Sequence, residues 1–415
     1  MSKYFIRQVK LLAGGTALAQ IINLISLPIL TRIYSPSDFG IYALFISITS
    51  ILGVFSTFKY ENSIIAVDND KEAYKSVYLI IKLSILSATI ITCLFLLLSF
   101  TLNLNFQQHS SLILPCFFAI IFGAIYQALY YWNNRAQQYE IMTKGKVIAS
   151  ILVASFSISY GYFFNSFEGL LWGTVLGLLV NLIYLLVKGQ SIVAGYLYPN
   201  NSILISHARE LIRFPKFLIF SSFLDRLSSQ LHIMMFTKYF GASVSGAIGI
   251  HNRVIGLPTT IIGNAVGDVF KRKASELLRD KGECIELLYK TSLGLLFIAL
   301  PIAVILYLYA PVLFVLVLGE EWLQAGEFSQ ILAINFLFAF IVSPISTLIY
   351  LGNNQRFDLY IQMLLIIMLA IGMSYAVYTL NLMNALYAYS WSYIIKYSVE
   401  FLICVSIAKG NITVK

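Results

Sequence analysis

Apolar residues fill most of the chain in long runs, and short polar segments separate these runs. Each run approaches the roughly 20 residues with which an α-helix crosses the hydrocarbon core of a bilayer. The pattern therefore predicts an all-α integral membrane protein with twelve transmembrane helices. The predicted spans are residues 11–33, 39–60, 76–99, 112–132, 147–164, 169–187, 214–237, 245–267, 291–318, 329–351, 359–380 and 384–408.

A motif that occurs twice predicts how these helices are grouped. The sequence LTRIYSPSDFG at residues 30–40 returns as FTKYFGASVSG at residues 236–246, with Thr, basic, aromatic, Ser and Gly positions in register. Two weaker matches follow in the same order: Lys82 with Lys290, and YYWNN of the fourth span with YLGNN of the tenth. The repeat predicts two six-helix bundles of the same orientation, related by a pseudo-two-fold axis along the membrane normal.

The predicted bundles are residues 1–188 and 214–415, and residues 189–213 form a cytoplasmic linker between them. The linker contains Gly, Pro, Asn and Ser, which interrupt helical patterns. In transporters built from such repeats, the substrate binds between the bundles, and one bundle rocks against the other to alternate access.

Composition supports the membrane interpretation and explains the net charge. The chain is 59% hydrophobic and 11% charged, whereas soluble domains are about 25% charged. The net charge of +9 does not indicate a nucleic-acid partner, because most of the 28 Lys and Arg residues lie on one side of the predicted spans. This asymmetry places both termini in the cytoplasm by the positive-inside rule. Membrane lipids are the expected surroundings.

Ionisable residues inside the predicted spans are the first candidates for a functional site, because burying a charge in a bilayer costs several kcal/mol. Asp225 and Arg226 lie near the middle of the seventh span, where they either face a hydrated cleft or form an ion pair with another helix. Arg253 lies in the eighth span above small and hydroxyl residues, a pattern typical of a cavity wall or of close helix packing.

The first half offers hydrogen-bonding groups at the corresponding places. Gln20 and Asn23 share one face of the first span, and Lys59 ends the second span, where it either contacts substrate or anchors the helix at the membrane interface. Lys396 and Glu400, one helical turn apart, are interpreted as a structural ion pair. A cleft lined by Arg226 and Arg253 suits an anionic substrate, and the planar guanidinium suits phosphate in particular.

The sequence predicts a transporter rather than an enzyme, with no cofactor and no metal. It contains no glycine-rich phosphate-binding loop, and its four cysteines lack the spacing of metal ligands. No local cluster of His, Asp and Glu marks a catalytic site. Asp225 is the candidate carboxylate for coupling to a proton or sodium gradient.

Two stretches resemble a known family. LPILTRIYSPSDFGIYALF at residues 27–45 and KYENSIIAV at residues 59–67 are similar to the polysaccharide transporter family, the oligosaccharide-lipid flippases of bacterial O-antigen and capsule synthesis. The family belongs to the multidrug/oligosaccharidyl-lipid/polysaccharide exporter superfamily. The resemblance implies a MATE-like fold with a V-shaped central cleft lined mainly by the first, second, seventh and eighth spans.

The same resemblance implies a substrate and a place. The substrate would be an undecaprenyl-diphosphate-linked oligosaccharide, flipped from the cytoplasmic to the periplasmic leaflet of the bacterial inner membrane, with other polysaccharide-assembly proteins as partners. Arg226 and Arg253 would hold the diphosphate. Three alternatives stay open: a multidrug cation antiporter of the same superfamily, a flippase of the cell-wall lipid precursor, and a membrane polymerase of polysaccharide assembly.

Overall fold

Every regular element that the structure describes is a helix. The computed structural model describes residues 3–101, 106–189, 200–351 and 355–410. Part of the predicted linker lies outside these ranges. So do Asn353 and Asn354, the last two residues of the repeated motif YLGNN. The first half contains α1 (Lys3–Ile33), α2 (Pro36–Thr57), the short α3 (Glu61–Ala66), α4 (Asp70–Thr101), α5 (Phe106–Arg135), α6 (Tyr139–Phe164) and α7 (Glu168–Lys188).

The second half begins with a short helix from the linker and continues with long helices. It contains α8 (Asn201–Glu210), α9 (Arg213–Phe240), α10 (Ala242–Lys281), α11 (Ile285–Leu318), α12 (Leu323–Ile331), α13 (Ala333–Ile345), α14 (Gln355–Tyr378) and α15 (Leu382–Ala408). The predicted span 329–351 is divided between α12, α13 and a short 3₁₀ helix, Ser346–Tyr350.

The all-α membrane fold predicted from the sequence is confirmed. Within the described ranges, ten helices are long and apolar enough to cross a membrane. Large apolar side chains stay exposed on their surfaces, as for Phe297 at 77% and Tyr378 at 87%, which suits contact with lipid. The helices α9 and α10 are equally long but fall outside this set of ten, and they are the two that carry Asp225, Arg226 and Arg253.

The chain forms two compact units. The first contains Met1–Tyr34 and Leu44–Arg226, and the second contains Ser35–Ala43 and Leu227–Lys415. Helices α2 and α9 therefore each contribute residues to both units. In the first unit, α1 packs on α6, and α6 packs on α7.

The repeated motif begins α2 with a capping box. The backbone N–H and the hydroxyl of Ser35 both donate to Asp38 Oδ2, at 2.9 and 2.8 Å, and the Asp38 N–H donates back to Ser35 Oγ at 3.3 Å. Pro36 follows at the first helical position, where its missing N–H removes no helical hydrogen bond. The residues SPSD thus fix where α2 starts.

The glycines that end the two motif copies allow these copies to pack together within the second unit. A β-carbon on Gly40 would overlap the Ala242 carbonyl group, and one on Gly246 would overlap the Pro36 carbonyl group. Small residues allow helix backbones to approach this closely. Packing of the two helix N-termini against each other therefore explains why Gly occurs at the same position of both copies.

The ion pair that the sequence predicts in the last helix is present in the second unit. Lys396 Nζ lies 3.0 Å from Glu400 Oε2, and the two side chains are only 15% and 8% exposed. The ammonium also lies 4.2 Å from the Tyr397 ring centroid, a distance typical of a cation–π contact.

Candidate functional site

A sharp turn after α2 directs a pair of opposite charges into the first unit. Phe58 and Lys59 both have positive φ, at 49° and 61°, a conformation that costs a non-glycine residue about 1–2 kcal/mol. The turn reverses the chain into the short helix α3. As a result Lys59 Nζ lies 3.6 Å from Glu61 Oε1, although the two residues are only two positions apart.

Glu61 is buried, with 3% of its side chain exposed, and its second carboxylate oxygen has no hydrogen-bond partner among the described residues. A buried charge is stable only when it is paired or hydrogen-bonded. The free oxygen therefore marks a position where a donor, a proton or a cationic group would be bound favourably.

A cavity of about 290 Å³ lies beside this pair, entirely within the first unit. Two cations, Lys59 and Arg226, and one carboxylate, Glu61, line it, together with the side-chain amide of Gln127. The helix α2 adds four hydroxyl-bearing residues to the wall, namely Thr49, Ser50, Ser56 and Thr57. Cations, an amide and hydroxyls together can bind a phosphate group and the hydroxyls of a sugar.

The polar residues in the middle of α9 differ in burial. Asp225 and Arg226 are exposed, and both belong to the first unit. One turn later, in the second unit, Ser228 and His232 are buried: the Ser228 hydroxyl lies 2.5 Å from Gln362 Oε1, and the His232 ring lies 4.7 Å from that of Tyr389. Of these four residues, only Asp225 and Arg226 are therefore accessible.

Arg253 belongs to the second unit and is half-buried on α10. Its guanidinium carbon lies 5.7 Å from the centroid of the Tyr42 ring, within the range of a cation–π contact. Tyr42 lies on the first turns of α2, next to the glycine contact between the motif copies.

Gln20 and Asn23 are half-buried on α1, and neither they nor Asp225 are among the described residues that line the 290 Å³ cavity. The same helix, α1, contacts Lys146, a cation that lies just before the predicted span 147–164. Lys146 of α6 donates to Thr16 Oγ1 at 3.3 Å, and its ammonium lies 4.9 Å from the Tyr130 ring centroid.

The structure thus brings Lys59 and Arg226 to one cavity and adds two residues that the sequence did not single out, Glu61 and Gln127. The signal for Glu61 was present in the sequence: it is the third residue of KYENSIIAV, one of the stretches that carry the family resemblance.

Comparison with known families gives one broad match. The family model described as "Polysaccharide biosynthesis protein" matches residues 29–327, a range that includes the stretch 59–67 and most of 27–45. The family resemblance indicated by those stretches is confirmed. No curated protein matches the chain.

Solved transporter structures share the fold at low sequence identity. A lipid II flippase MurJ in an inward closed conformation has a TM-score of 0.72 at 13% identity, covering 96% of this chain and 90% of its own. An inward-facing multidrug resistance MATE family transporter has a TM-score of 0.64 at 16% identity, covering 93% of each chain. A multidrug/oligosaccharidyl-lipid/polysaccharide superfamily transporter from Pyrococcus furiosus has a TM-score of 0.58 at 16% identity, covering 98% and 95%.

Proposed function

The chain belongs to the polysaccharide biosynthesis protein family, and from this premise we propose that it is a lipid-linked oligosaccharide flippase. Its substrate is an undecaprenyl-diphosphate-linked oligosaccharide, such as an O-antigen repeat unit. The headgroup moves from the cytoplasmic to the periplasmic leaflet of a bacterial inner membrane by alternating access. Both termini lie in the cytoplasm, and other polysaccharide-assembly proteins are its partners.

The observation that carries this proposal is the cavity shared by Lys59 and Arg226. A diphosphate cannot cross hydrocarbon without compensation of its charge, whereas the polyprenyl tail can remain in lipid throughout. Arg226 and Lys59 supply part of that compensation, since Glu61 offsets one of the two charges. Charge-assisted bonds to phosphate are about twice as strong as neutral hydrogen bonds. The hydroxyl-rich wall from α2 and the Gln127 amide face the sugars.

The remaining predicted site residues stay proposed substrate contacts. Arg253 offers a guanidinium on α10, and Gln20 and Asn23 offer hydrogen-bonding groups on α1. Asp225 is one candidate for coupling to an ion gradient, because it is adjacent to Arg226 and exposed. Glu61 is the other candidate, because its buried oxygen lacks a hydrogen-bond partner in the described part of the chain.

The test is charge removal in a strain that lacks the gene. Arg226→Ala and Lys59→Ala are each expected to lower the rate of surface polysaccharide formation about tenfold or more, because a hydrogen bond to a charged group contributes about 1.5–3 kcal/mol. Arg226→Lys keeps the charge but loses the planar fork, so an intermediate rate is expected. Lipid-linked repeat units are expected to accumulate on the inner leaflet.

Arg272→Ala is the matched control, because Arg272 is an exposed cation on α10 that pairs with Glu276 at 3.2 Å. It is expected to leave polysaccharide formation unchanged. Normal surface polysaccharide in a stably inserted Arg226→Ala, Lys59→Ala double variant contradicts the role given to the cavity.

A multidrug cation antiporter is the second candidate, and Glu61 is the observation that favours it. A buried carboxylate in the first unit would bind an organic cation. Export of a fluorescent cation from whole cells, abolished by Glu61→Gln but unaffected by Arg226→Ala, would support the antiporter over the flippase.

A further inference from the structure

The linker helix α8 is held on the first unit by specific side-chain contacts. Its inner face buries Leu204 and His207. At its beginning Lys82 Nζ donates to Asn201 Oδ1 at 2.6 Å, and near its end the Tyr60 hydroxyl donates to the Ala208 carbonyl at 3.0 Å. The helix is thus a docked element whose position depends on α4 and α3.

The ring of His207 is oriented by a chain of hydroxyl groups. Its Nε2 lies 2.9 Å from Ser76 Oγ, and Ser76 Oγ lies 2.8 Å from Ser63 Oγ. Ser63 Oγ also lies 2.7 Å from the Tyr60 carbonyl oxygen, which can only accept. Ser63 Oγ donates to Ser76 Oγ, and Ser76 Oγ in turn contacts the ring through Nε2. The opposite ring nitrogen, Nδ1, is the one left for a further partner.

This nitrogen lies beside a carboxylate. His207 Nδ1 is 3.1 Å from Glu72 Oε2, within ion-pair distance, yet it is buried and makes no hydrogen bond of good geometry among the described residues. A cation bound between the nitrogen and the carboxylate would satisfy both atoms. The other oxygen, Glu72 Oε1, accepts from Lys75 Nζ at 2.7 Å, so the carboxylate is held with Oε2 turned to the histidine.

A third ligand, a carboxylate oxygen, comes from the same helix as the histidine. Glu210 follows His207 by three positions, so both side chains project from one face of α8. The ligand atoms of Glu72, His207 and Glu210 all lie within 4.8 Å of one another. Movement of the exposed Glu210 side chain brings the three atoms around one point.

We propose that Glu72, His207 and Glu210 form a binding site for a divalent transition metal of the Zn²⁺ class, which fastens the linker helix to the first unit. One imidazole nitrogen and two carboxylate oxygens suit Zn²⁺, whereas Mg²⁺ and Ca²⁺ prefer oxygen ligands alone. Water completes the coordination, because Glu210 leaves the site open to solvent. Ser76 and Lys75 form the outer contacts that orient the histidine and Glu72.

A metal site could not be predicted from the sequence, because His207 and Glu72 are far apart in the chain and only the docking of α8 on α4 brings them together. The competing explanation is a direct ion pair between a protonated His207 and Glu72. In that explanation Glu210 acts on His207 only as a nearby negative charge, whereas metal binding requires its carboxylate as a ligand, so Zn²⁺ binding by a Glu210 variant separates the two.

The experiment measures Zn²⁺ binding to the full-length protein in detergent, after tag removal and metal stripping, by titration calorimetry. One equivalent of Zn²⁺ is expected to bind, and Mg²⁺ at the same concentration is not. Glu210→Gln is expected to weaken Zn²⁺ binding at least tenfold. Ser76→Ala, which removes an outer contact, is expected to weaken it about 10–100-fold.

Glu140→Gln is the control, since Glu140 is an exposed carboxylate on α6 that pairs with Lys144. It should bind Zn²⁺ as the unaltered protein does. Absence of saturable Zn²⁺ binding, or equal binding in Glu210→Gln and the unaltered protein, overturns the proposal. Because Glu210 is exposed, Glu210→Gln is expected to fold even if variants of the buried His207 do not.

Discussion

At the scale of single residues, Glu400 and Glu61 are two buried carboxylates that each pair with a lysine, and sequence spacing predicts only the first pair. Glu400 follows Lys396 by one helical turn, so a helix brings them together and the sequence predicts the pair. Glu61 follows Lys59 by two positions, a spacing that places side chains apart on a regular helix. The two meet only because Phe58 and Lys59 adopt positive φ, and local sequence does not reveal such a turn in residues other than glycine.

The Lys396–Glu400 pair is expected to be structural. Glu400→Gln leaves a buried ammonium without its counter-charge, and breaking a buried pair in this way costs about 3–5 kcal/mol. The thermal unfolding midpoint in detergent is expected to fall sharply. The double variant Lys396→Met, Glu400→Leu removes both charges and is expected to recover most of the loss, because an apolar pair of similar volume needs no compensation.

Transport activity tells whether the pair has another role. If the double variant is as stable as the unaltered protein yet does not restore surface polysaccharide, Lys396 and Glu400 take part in transport, and the structural interpretation is wrong.

At the scale of helices, apolar runs predicted which segments are helical. The differences between predicted and observed helix bounds have local causes. Most predicted spans coincide with one helix, but the span 329–351 is divided among three elements. Helix α10 continues to Lys281 over 40 residues, or about 60 Å, twice the thickness of the hydrocarbon core. Its last turns are basic and therefore gave no membrane signal. Lys146 falls outside the predicted span 147–164 for the same reason, because α6 begins at Tyr139, before its apolar run.

The glycine contact between the motif copies is expected to tolerate no side chain. In Gly246→Ala the added methyl group overlaps the backbone of Pro36, so α2 and α10 must move apart. We expect a lower thermal unfolding midpoint and reduced transport. Gly256→Ala, in the same helix, is the control, because no heavy atom of the described residues lies within 4 Å of its added β-carbon.

Gly256→Ala is expected to be neutral or slightly stabilising, since alanine favours a helix by up to about 1 kcal/mol over glycine. Equal stability and activity of Gly246→Ala and Gly256→Ala would show that the motif copies do not pack as tightly as the structure indicates.

At the scale of the whole molecule, composition alone predicted a membrane protein, but mean hydropathy does not identify α9 and α10 as membrane spans. The two long helices that fail the apolar criterion, α9 and α10, carry Arg226 and Arg253. Charged side chains inside membrane proteins face the protein interior or a hydrated cavity rather than lipid. The features that make these helices candidates for substrate binding are therefore the features that lower their hydropathy.

Whether α9 and α10 cross the membrane can be tested by cysteine labelling from one side. With 28 residues, α9 extends about 42 Å, which exceeds the roughly 30 Å hydrocarbon core. If both helices cross, exposed Ser243 between them lies on the opposite side of the membrane from Arg213 and Lys281. Single cysteines at these three positions, with the four native cysteines replaced by alanine, can be labelled with a membrane-impermeant maleimide. In intact spheroplasts Ser243→Cys is expected to react, whereas Arg213→Cys and Lys281→Cys react only after lysis. The same accessibility for all three would show that α9 and α10 do not cross the membrane. Arg226 and Arg253 would then lie on no path across the bilayer.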